Sequence, residues 1–326
     1  MLQAWKGLYA EQGLTQRTID IIAASWKGST KAQYQVYIRK WKRFCAERHI
    51  SYLNVQVCDV LAFLTNMLDK EKVGYSSLNT ARSALSTFLI VDGGRQPLGS
   101  HPLVNRFMKG VFHLKPPAPR YSSIWDVKVV LDYLRKLSPS KALNLKQLTQ
   151  KLTMLIALVS AQRVQSLHVI HLDRMRWKKS SVEISFENTL KQNKPGNTGF
   201  SVTLNAYPPD RRLCIVNYMK EYVQRTQNLR GMERHLLVAY KKPHRRASKQ
   251  TIARWIKTVL HDAGVDTQIF SAHSTRAAST SAAQRSEVPV SEILSRAGWV
   301  AEKTFRKFYC KPLQDTNQFA QALLKM

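Results

Sequence analysis

The chain of 326 residues is longer than a typical single domain and suits two domains. Its hydrophobic content of 44% excludes a chain disordered throughout, and no apolar run reaches the roughly 18 residues of a membrane span. The formal net charge of +30, with a sequence pI of about 10.2, indicates a polyanionic partner. We find no strongly amphipathic basic helix suited to a lipid surface, so the expected partner is nucleic acid and not a membrane.

The cysteines exclude two further classes of protein. Cys45, Cys58, Cys214 and Cys310 form no C-x-x-C pair and have no histidine beside them at zinc-ligand spacing. We therefore expect no disulfide framework and no structural zinc or other metal site. A reducing compartment fits this pattern.

Helical periodicity runs through the first third of the chain. Ser29 and Thr30 can N-cap a helix over 31–48, whose apolar positions recur at i, i+3, i+4 and i+7. Its other faces carry cations for which a DNA-backbone contact and a merely solvated surface are about equally expected: Arg39, Lys40 and Arg43. Further helices are predicted over 57–70, 75–90 and 102–112.

A proline-rich segment at 114–120 is the best domain boundary in the sequence. Three prolines within its four residues 116–119 cannot continue a helix, and they favour a stiff, extended connector. We therefore predict a helical domain at 1–113 and a second domain at 121–326. A two-domain clamp around DNA would use such a strap, although an ordinary interdomain loop would have the same composition.

The second domain is predicted to combine helices with one small sheet. Alternating residues over 181–187 and 200–204 indicate two strands, and Pro195-Gly196-Asn197 supplies the turn between them. Helices are predicted over 125–137, 143–160, 210–225, 248–263, 275–285, 290–297 and 318–325. The fold class is therefore mainly α with a small β-sheet, in which a helical DNA-binding domain precedes an α+β domain.

Six residues of this domain together suit the breakage of a phosphodiester without a metal or another cofactor. They are Arg163, Lys191, His273, Arg276, Trp299 and Tyr309. Guanidinium groups match the non-bridging oxygens of a phosphate bidentately and offset the charge of the transition state. His273, one helical turn from Arg276, can bind the phosphate or take the phenolic proton, and Lys191 at the hairpin tip can protonate the leaving 5′-oxygen. The indole N–H of Trp299 can bind the phosphate, and Tyr309 is the nucleophile.

Each of these residues has an ordinary structural interpretation when it is taken alone. Arg163 could be a surface arginine, and Trp299 or Tyr309 could be a core packing residue. Lys194 competes with Lys191 as the donor to the leaving oxygen. The order of six suitable residue types in one strongly basic chain is what favours catalysis.

The order Arg, Lys, His-x-x-Arg, Trp and Tyr resembles that of the tyrosine recombinase (phage integrase-like) family over essentially the whole chain. Three motifs resemble its eukaryotic mobile-element branch, the recombinases of cryptons and of DIRS- and Ngaro-type retrotransposons: SKQTIARWI at 248–256, AHSTRAA at 272–278 and AGW followed by TFRKFY within 297–309. The resemblance implies a nuclear enzyme that exchanges strands between double-stranded DNAs in a tetramer. It also implies a 3′-phosphotyrosyl intermediate, a Holliday junction and the six roles above.

Two positions depart from the pattern of that family. Many relatives place an acidic residue three positions after the first Arg, where this chain has Ser166, so Arg163 must be braced by another group. The interval from Trp to Tyr is one residue longer than usual, which places Phe308 at the usual position of the nucleophile. We retain Tyr309, because a phenyl ring cannot attack phosphorus.

Two further segments are expected to contact DNA or a second copy of the chain. The helix that Ser248 opens carries a basic, polar side suited to the major groove: Lys249, Gln250, Arg254 and Lys257. In the family, the segment after the nucleophile packs on a neighbouring subunit. Residues 312–326 could do the same or pack on their own domain.

The favoured function is that of a DNA recombinase or integrase of a mobile element. Two alternatives stay open: a catalytically silent DNA-binding relative with the same fold, and a type IB topoisomerase-like enzyme without partner exchange. The intact residue set argues against the first alternative. The substantial N-terminal domain and the C-terminal tail favour recombination over the second.

Overall fold

The computed structural model describes Tyr9 and residues 13–91, 96–118, 120–186 and 200–313. The chain divides into two compact units, Met1–Ala118 and Pro119–Met326, and this division falls within the proline-rich segment. Lys191, Lys194, the predicted turn after them and the predicted helix at 318–325 lie outside the described residues. None of the described helices combines the length and the apolar character that crossing a bilayer requires.

The first unit is helical, as predicted, and adds a short hairpin. Its elements are α1 (Gln16–Ala24), α2 (Gly28–Glu47), α3 (Val57–Asp69), α4 (Tyr75–Leu85), β1 (Ile90–Val91), β2 (Gln96–Pro97) and α5 (Pro102–Leu114). The ring of Phe63 packs edge-on against Trp41 and Phe44 in its core, with centroids 5.3 and 5.4 Å apart. The buried indole of Trp41 also donates to the carbonyl of Tyr52 (2.9 Å), so its N–H is satisfied.

α1 was not predicted, and the two largest differences in predicted helix boundaries of this unit are at the start of α2 and the end of α4. α2 begins at Gly28 instead of residue 31, with Lys27 at the N-cap position and no side chain capping it, so the predicted Ser-Thr cap is wrong. α4 ends at Leu85 instead of residue 90. The hydroxyls of Ser86 and Thr87 donate to carbonyls of its last turn (2.7 and 2.6 Å), and such bonds compete with continued helix.

The second unit contains most of the described helices and one three-stranded sheet. Its elements are α6 (Val127–Lys136), α7 (Leu145–Ser160), α8 (Val164–His168), β3 (Met175–Trp177), β4 (Ser181–Phe186), β5 (Phe200–Asn205), α9 (Ile215–Thr226), α10 (Lys249–Asp262), α11 (Ser274–Arg285), α12 (Val290–Ala297) and α13 (Glu302–Phe308). The strands are antiparallel in the order β3-β4-β5, with Ile184 opposite both Met175 and Val202. α7 is the central, largely buried helix, and α9, α10 and α11 pack against it. The predicted fold class is confirmed.

Three short elements of this unit, α8, β3 and α13, were not expected from the sequence. A helix of five residues or a strand of three spans too little chain to show a hydrophobic period. α6 also begins two residues later than predicted, because Asp126 accepts a hydrogen bond from the backbone N–H of Lys128 (3.0 Å) as an N-cap. Trp125, predicted to open this helix, instead lies buried before it and donates to Ser274 Oγ (2.9 Å).

A lysine is buried in the middle of α7. Lys151 is 0% exposed, and its Nζ donates to the carbonyls of Leu134 and Leu137 (2.7 and 2.6 Å) at the end of α6. The same ammonium lies 3.9 Å from the ring centroid of Tyr218. Burial lowers the pKa of Lys151 to about 7, although the nearby charge of Asp210 opposes this. Lys151 therefore ties α6 to α7 at an electrostatic cost that depends on pH.

Replacing Lys151 with Met is expected to flatten the pH dependence of the stability of the second unit. In the unfolded chain a lysine titrates near pH 10.4, about three units above the folded value, so between about pH 7 and 10 the unfolded state binds more protons. The contribution of Lys151 to the free energy of unfolding should therefore rise with pH above 7, by at most about 1.4 kcal/mol per pH unit. At lower pH this contribution should not change with pH.

Denaturant unfolding of wild type and Lys151→Met from about pH 6 to 9 measures the difference between the two slopes. Lys146→Met is the matched control, because this lysine is exposed on the same helix and should leave the wild-type slope in place. An unchanged slope in Lys151→Met would show that the buried ammonium is not the titrating group.

Candidate active site

α11 carries two of the predicted site residues at its first turn. His273 occupies the N-cap position and Arg276 follows within the helix, so only the arginine lies on regular helix as predicted. The helix is fixed to its surroundings by hydroxyl groups. Ser274 Oγ donates to the carbonyl of Ser271 (2.7 Å), and Ser279 Oγ donates to the carbonyl of Leu158 in α7 (2.6 Å).

Arg276 is charged and yet buried, with 2% of its surface exposed. Its Nη2 donates to the carbonyl of Ala297, the last residue of α12 (2.7 Å). Its Nε and Nη1 have no hydrogen-bond partner in the described part of the chain, and no carboxylate there pairs with it. Burial and the charge of Arg163 lower the pKa of Arg276, while Tyr309 opposes this shift. Because arginine does not deprotonate in proteins, such a site is costly unless an anion joins the guanidinium.

Trp299 lies directly against this guanidinium. Gly298 ends α12 in the left-handed region (φ 66°), where a side chain would be strained, and this turn leads into Trp299. The indole lies with its ring centroid 4.3 Å from Arg276 Cζ and stacks on Phe305 at 5.7 Å. Its Nε1 is buried and has no partner among the described residues, so it is a third donor without an acceptor.

Tyr309 follows α13 as its C-cap residue and is half-buried. Its ring centroid lies 4.4 Å from that of Trp299 and 5.5 Å from Arg276 Cζ. Ser281 Oγ donates to the carbonyl of Tyr309 (2.6 Å), which fixes the backbone of this residue to α11. Phe308, by contrast, is 58% exposed. The ring that joins the cluster is therefore that of residue 309, as retained from the sequence.

His273 borders the same cluster, with its ring centroid 6.1 Å from that of Tyr309. His273 is exposed on one side, but desolvation of its ring against the cluster, followed by the charges of Arg276, Arg163 and Arg120, lowers its pKa. The imidazole is therefore neutral at pH 7 and can accept a proton. An anion bound among these cations would raise this pKa again, because it would stabilise the imidazolium.

Arg163 is the N-cap residue of α8, and its side chain makes no hydrogen bond or ion pair with any described residue. Ser166, which stands where many relatives have an acid, donates from Oγ to Gln162 Oε1 (3.1 Å). Gln162 Nε2 in turn donates to the carbonyl of Arg296 (2.8 Å). The turn that presents Arg163 is thus braced by Gln162, a residue that sequence reasoning missed and that only its position beside Arg163 could have indicated.

A cleft of about 490 Å³ joins this cluster to α10. Its lining includes Arg163 and His273 on the side of the cluster, and Arg254 and Lys257 on the side of α10. Two cations of the predicted DNA-contacting side of α10 thus lie beside the candidate catalytic residues. Arg163, Arg254 and Lys257 thus place three cations around one cleft.

The remaining predicted DNA-contact residues do not line this cleft. Lys249 and Gln250 are exposed at the first turn of α10. In the first unit, Arg39 and Arg43 are exposed on α2. Lys40, on the same helix, forms an ion pair with Glu71, so its charge is partly balanced within the unit.

Lys191 and Lys194 belong to the segment between β4 and β5 that lies outside the described residues. The last described pair of these strands is Phe186 opposite Phe200. The guanidinium of Arg296 donates to the carbonyl of Thr203 (2.6 Å), so β5 packs against α12, the helix that leads into Trp299. The assignment of the general acid stays a prediction.

The described members of the predicted set thus form one cluster around the ring of Tyr309. Arg276 and Trp299 together present three buried N–H groups without acceptors, and Arg163 adds an unpaired cation beside them. Such a cluster can bind the oxygens of a phosphate next to a phenol. Within the described ranges, no group of three His, Cys, Asp or Glu is placed to hold a metal ion.

Comparison with known protein families identifies the family of this chain. Residues 129–314, more than half of the chain, match the sequence model of the phage integrase family. The chain belongs to the phage integrase family. No curated protein is significantly similar in sequence to this phage integrase family member.

Solved structures of recombinases share the fold of this phage integrase family member. XerH site-specific recombinase, bound to a palindromic difH substrate after cleavage, is 11% identical, with a TM-score of 0.63 over 90% of this chain and 79% of that one. The Tn1549 transposon integrase with transposon right end DNA is 11% identical, with a TM-score of 0.58 over 99% and 98%. A lambda integrase tetramer on a Holliday junction is 12% identical, with a TM-score of 0.55 over 97% and 78%. At such low identity these likenesses show the tyrosine recombinase fold alone.

Proposed function

We propose that this chain is a site-specific DNA recombinase or integrase of a mobile element, with Tyr309 as its nucleophile. The observation that carries the proposal is the buried guanidinium of Arg276, whose Nε and Nη1 lack partners in the described structure beside the equally unpartnered indole N–H of Trp299. Three buried donors in one cluster suit the binding of an oxyanion. For a chain of net charge +30, the phosphodiester of DNA is the polyanion that fits.

In the proposed reaction, the bond between phosphorus and the 5′-oxygen breaks. The phenol oxygen of Tyr309 attacks phosphorus, its proton passes to His273, and the 5′-oxygen leaves with a proton from Lys191. The two arginines and the indole hold the non-bridging oxygens as charge develops on them. A 3′-phosphotyrosyl ester replaces the broken one, so attack by a 5′-hydroxyl reverses the step. Because cations and N–H donors supply the stabilisation, we propose that no metal ion takes part.

We further propose that the substrate is double-stranded DNA and that the chain works as a tetramer in the nucleus. Support comes from the resemblance of three motifs to those of eukaryotic mobile-element recombinases and from the fold shared with a lambda integrase that forms a tetramer on a Holliday junction. The tail is the proposed contact between subunits. Leu313, near its start, pairs with Ile124 of its own unit, so the contact is assigned to 314–326, outside the described residues.

A covalent selection tests this function and identifies the target site in the same experiment. The full chain is incubated in EDTA with a pool of nicked random-sequence duplexes, and DNA that stays attached after denaturation is recovered and amplified. We expect enrichment of one site, a free 5′-hydroxyl at the cut, and a nucleotide adduct on the peptide that carries Tyr309, read by mass spectrometry.

Two other outcomes would count against the proposal. Tight binding of the chain to DNA without any covalent recovery would favour the silent DNA-binding relative. Covalent recovery and relaxation of supercoils by a monomer, without junction intermediates on the selected site, would favour the topoisomerase-like enzyme.

Lys191→Ala is expected to slow cleavage, because the leaving 5′-oxygen would then depart as an unprotonated alkoxide. A substrate with sulfur in place of the bridging 5′-oxygen should restore the rate, because a thiolate leaves without a proton. Lys194→Ala is the control, with near wild-type cleavage of both substrates. Failure of the sulfur substrate to rescue Lys191→Ala, or a larger defect in Lys194→Ala, would reassign the general acid.

A further inference from the structure

A second cavity, of about 340 Å³, borders Tyr309 and His273 and has no role in the reaction described above. Its lining includes three cations, Arg120, Lys307 and Lys311, and the rings of Tyr121 and Phe308. Its volume lies near the lower limit of small-molecule sites, which is about 300 Å³. Sequence reasoning missed it, because its parts come from the segment after residue 118, from α11 and from α13.

The positive charges of this cavity are not balanced by any described acidic residue. No carboxylate in the described part of the chain pairs with Arg120, Lys307 or Lys311. The charge of Arg120 is close enough to lower the pKa of His273, which places this guanidinium near the candidate catalytic cluster. The backbone of Lys311 is fixed by a hydrogen bond from its N–H to Ser281 Oγ (3.0 Å). Three unbalanced positive charges at one cavity select an anionic ligand.

The rings of the cavity supply a different kind of surface. Tyr121 is held in place by a hydrogen bond between its hydroxyl and Ser271 Oγ (2.8 Å) and by packing on Phe270, with centroids 5.5 Å apart. Phe308 is 58% exposed, and the only described group over its ring is the Lys307 ammonium, 5.4 Å from the centroid. The Arg120 guanidinium lies 5.5 Å from the Tyr121 ring centroid, so Phe308 offers the exposed flat apolar surface of the cavity, which a phosphate alone does not use.

We propose that this cavity receives one nucleotide beside the broken bond, with its base turned out of the helical stack. The base packs on the exposed ring of Phe308, and its flanking phosphate lies among the three cations. A base inside a duplex cannot reach such a cavity, but proteins capture unstacked bases on aromatic faces with nearby positive charge. The proposal rests on the proposed function, because it places the nucleotide next to the phosphate that Tyr309 attacks.

A fluorescent nucleotide tests this site in the full chain without a target sequence. The probe is the 3′,5′-bisphosphate of 2-aminopurine deoxyriboside, whose emission is quenched when its base stacks on an aromatic ring. We expect saturable quenching, with a Kd at least tenfold below that of the free nucleoside. Phe308→Ala should remove most of the quenching, and Lys307→Gln should weaken the bisphosphate at least threefold without weakening the nucleoside.

Tyr207→Ala is the matched control, because Tyr207 is similarly exposed (49%) and does not line the cavity. It should quench and bind as wild type does. Quenching that survives in Phe308→Ala, or a bisphosphate that binds no better than the nucleoside, would overturn the proposal. Failure of the proposed function would give a different result. If quenching depends on Phe308 but the chain never forms a covalent adduct with DNA, the nucleotide site stands and the proposed cleavage activity is rejected.

Discussion

Tyr309→Phe is expected to abolish the covalent adduct between chain and DNA, a loss on the order of 10⁴-fold or more, while leaving DNA affinity within about twofold. The substitution removes only the phenol oxygen. The ring contacts with Trp299 (4.4 Å) and His273 (6.1 Å) stay in place. No described residue forms a hydrogen bond with that hydroxyl, so the fold loses no bond. Denaturing gels on the selected site measure the adduct, and a filter or anisotropy assay measures affinity.

The double variant Phe308→Tyr, Tyr309→Phe is the sharpest control for this prediction. It moves the phenol to the position that the nucleophile usually occupies relative to the tryptophan. Because the side chain of residue 308 is exposed while that of residue 309 lies in the cluster, the double variant should be as inactive as Tyr309→Phe. Recovery of the adduct in the double variant would assign the nucleophile to residue 308.

Arg276→Lys is expected to slow cleavage by about 10³-fold with little loss of DNA binding. The guanidinium anchors itself to Ala297 through Nη2 (2.7 Å) and keeps Nε and Nη1 for the phosphate. An ammonium keeps the charge but cannot serve the carbonyl and two phosphate oxygens in a fixed plane. Removal of one aligned donor from such a site typically costs about 10² to 10³ in rate, and this variant disturbs two.

Single-turnover cleavage on the nicked site measures this effect separately from binding. Arg225→Lys is the matched control, because Arg225 also donates from its guanidinium to a carbonyl, that of Leu143 (2.6 Å), without lining either cavity. It should cleave within about threefold of wild type. A defect in Arg276→Lys that appears in affinity and not in the cleavage step would assign Arg276 to binding alone.

Long elements with a clear period were predictable from the sequence, and short or capped ones were not. α10, with 14 residues, was predicted over 248–263 and observed over Lys249–Asp262, whereas α13 spans seven residues and leaves no readable period. The end of α4 depended on two hydroxyls that bond back to its last turn. Propensity alone does not indicate which hydroxyl will make such a bond.

The candidate site shows the same division. The types and order of its residues were readable, since the chemistry of phosphoryl transfer restricts which side chains are useful. The burial of Arg276 was not, because it depends on Trp299 and on a carbonyl at the end of another helix. The role of Gln162 and the cavity beside Phe308 were also hidden, because each depends on residues more than a hundred positions apart.

The hydrogen bond from Ser281 to the carbonyl of Tyr309 bears on whether the proposed tyrosine and arginine of one reaction come from the same chain. This bond fixes the backbone of Tyr309 to α11, the helix that also carries Arg276. Just beyond, the backbone N–H of Ile124 donates to the carbonyl of Pro312 (2.8 Å). If the chain cleaves DNA as proposed, each protomer of the proposed tetramer should therefore use its own tyrosine with its own arginine, and we expect cleavage in cis. We then expect that mixing a chain that lacks Tyr309 with a chain that lacks Arg276 restores no cleavage, because neither chain contains both residues.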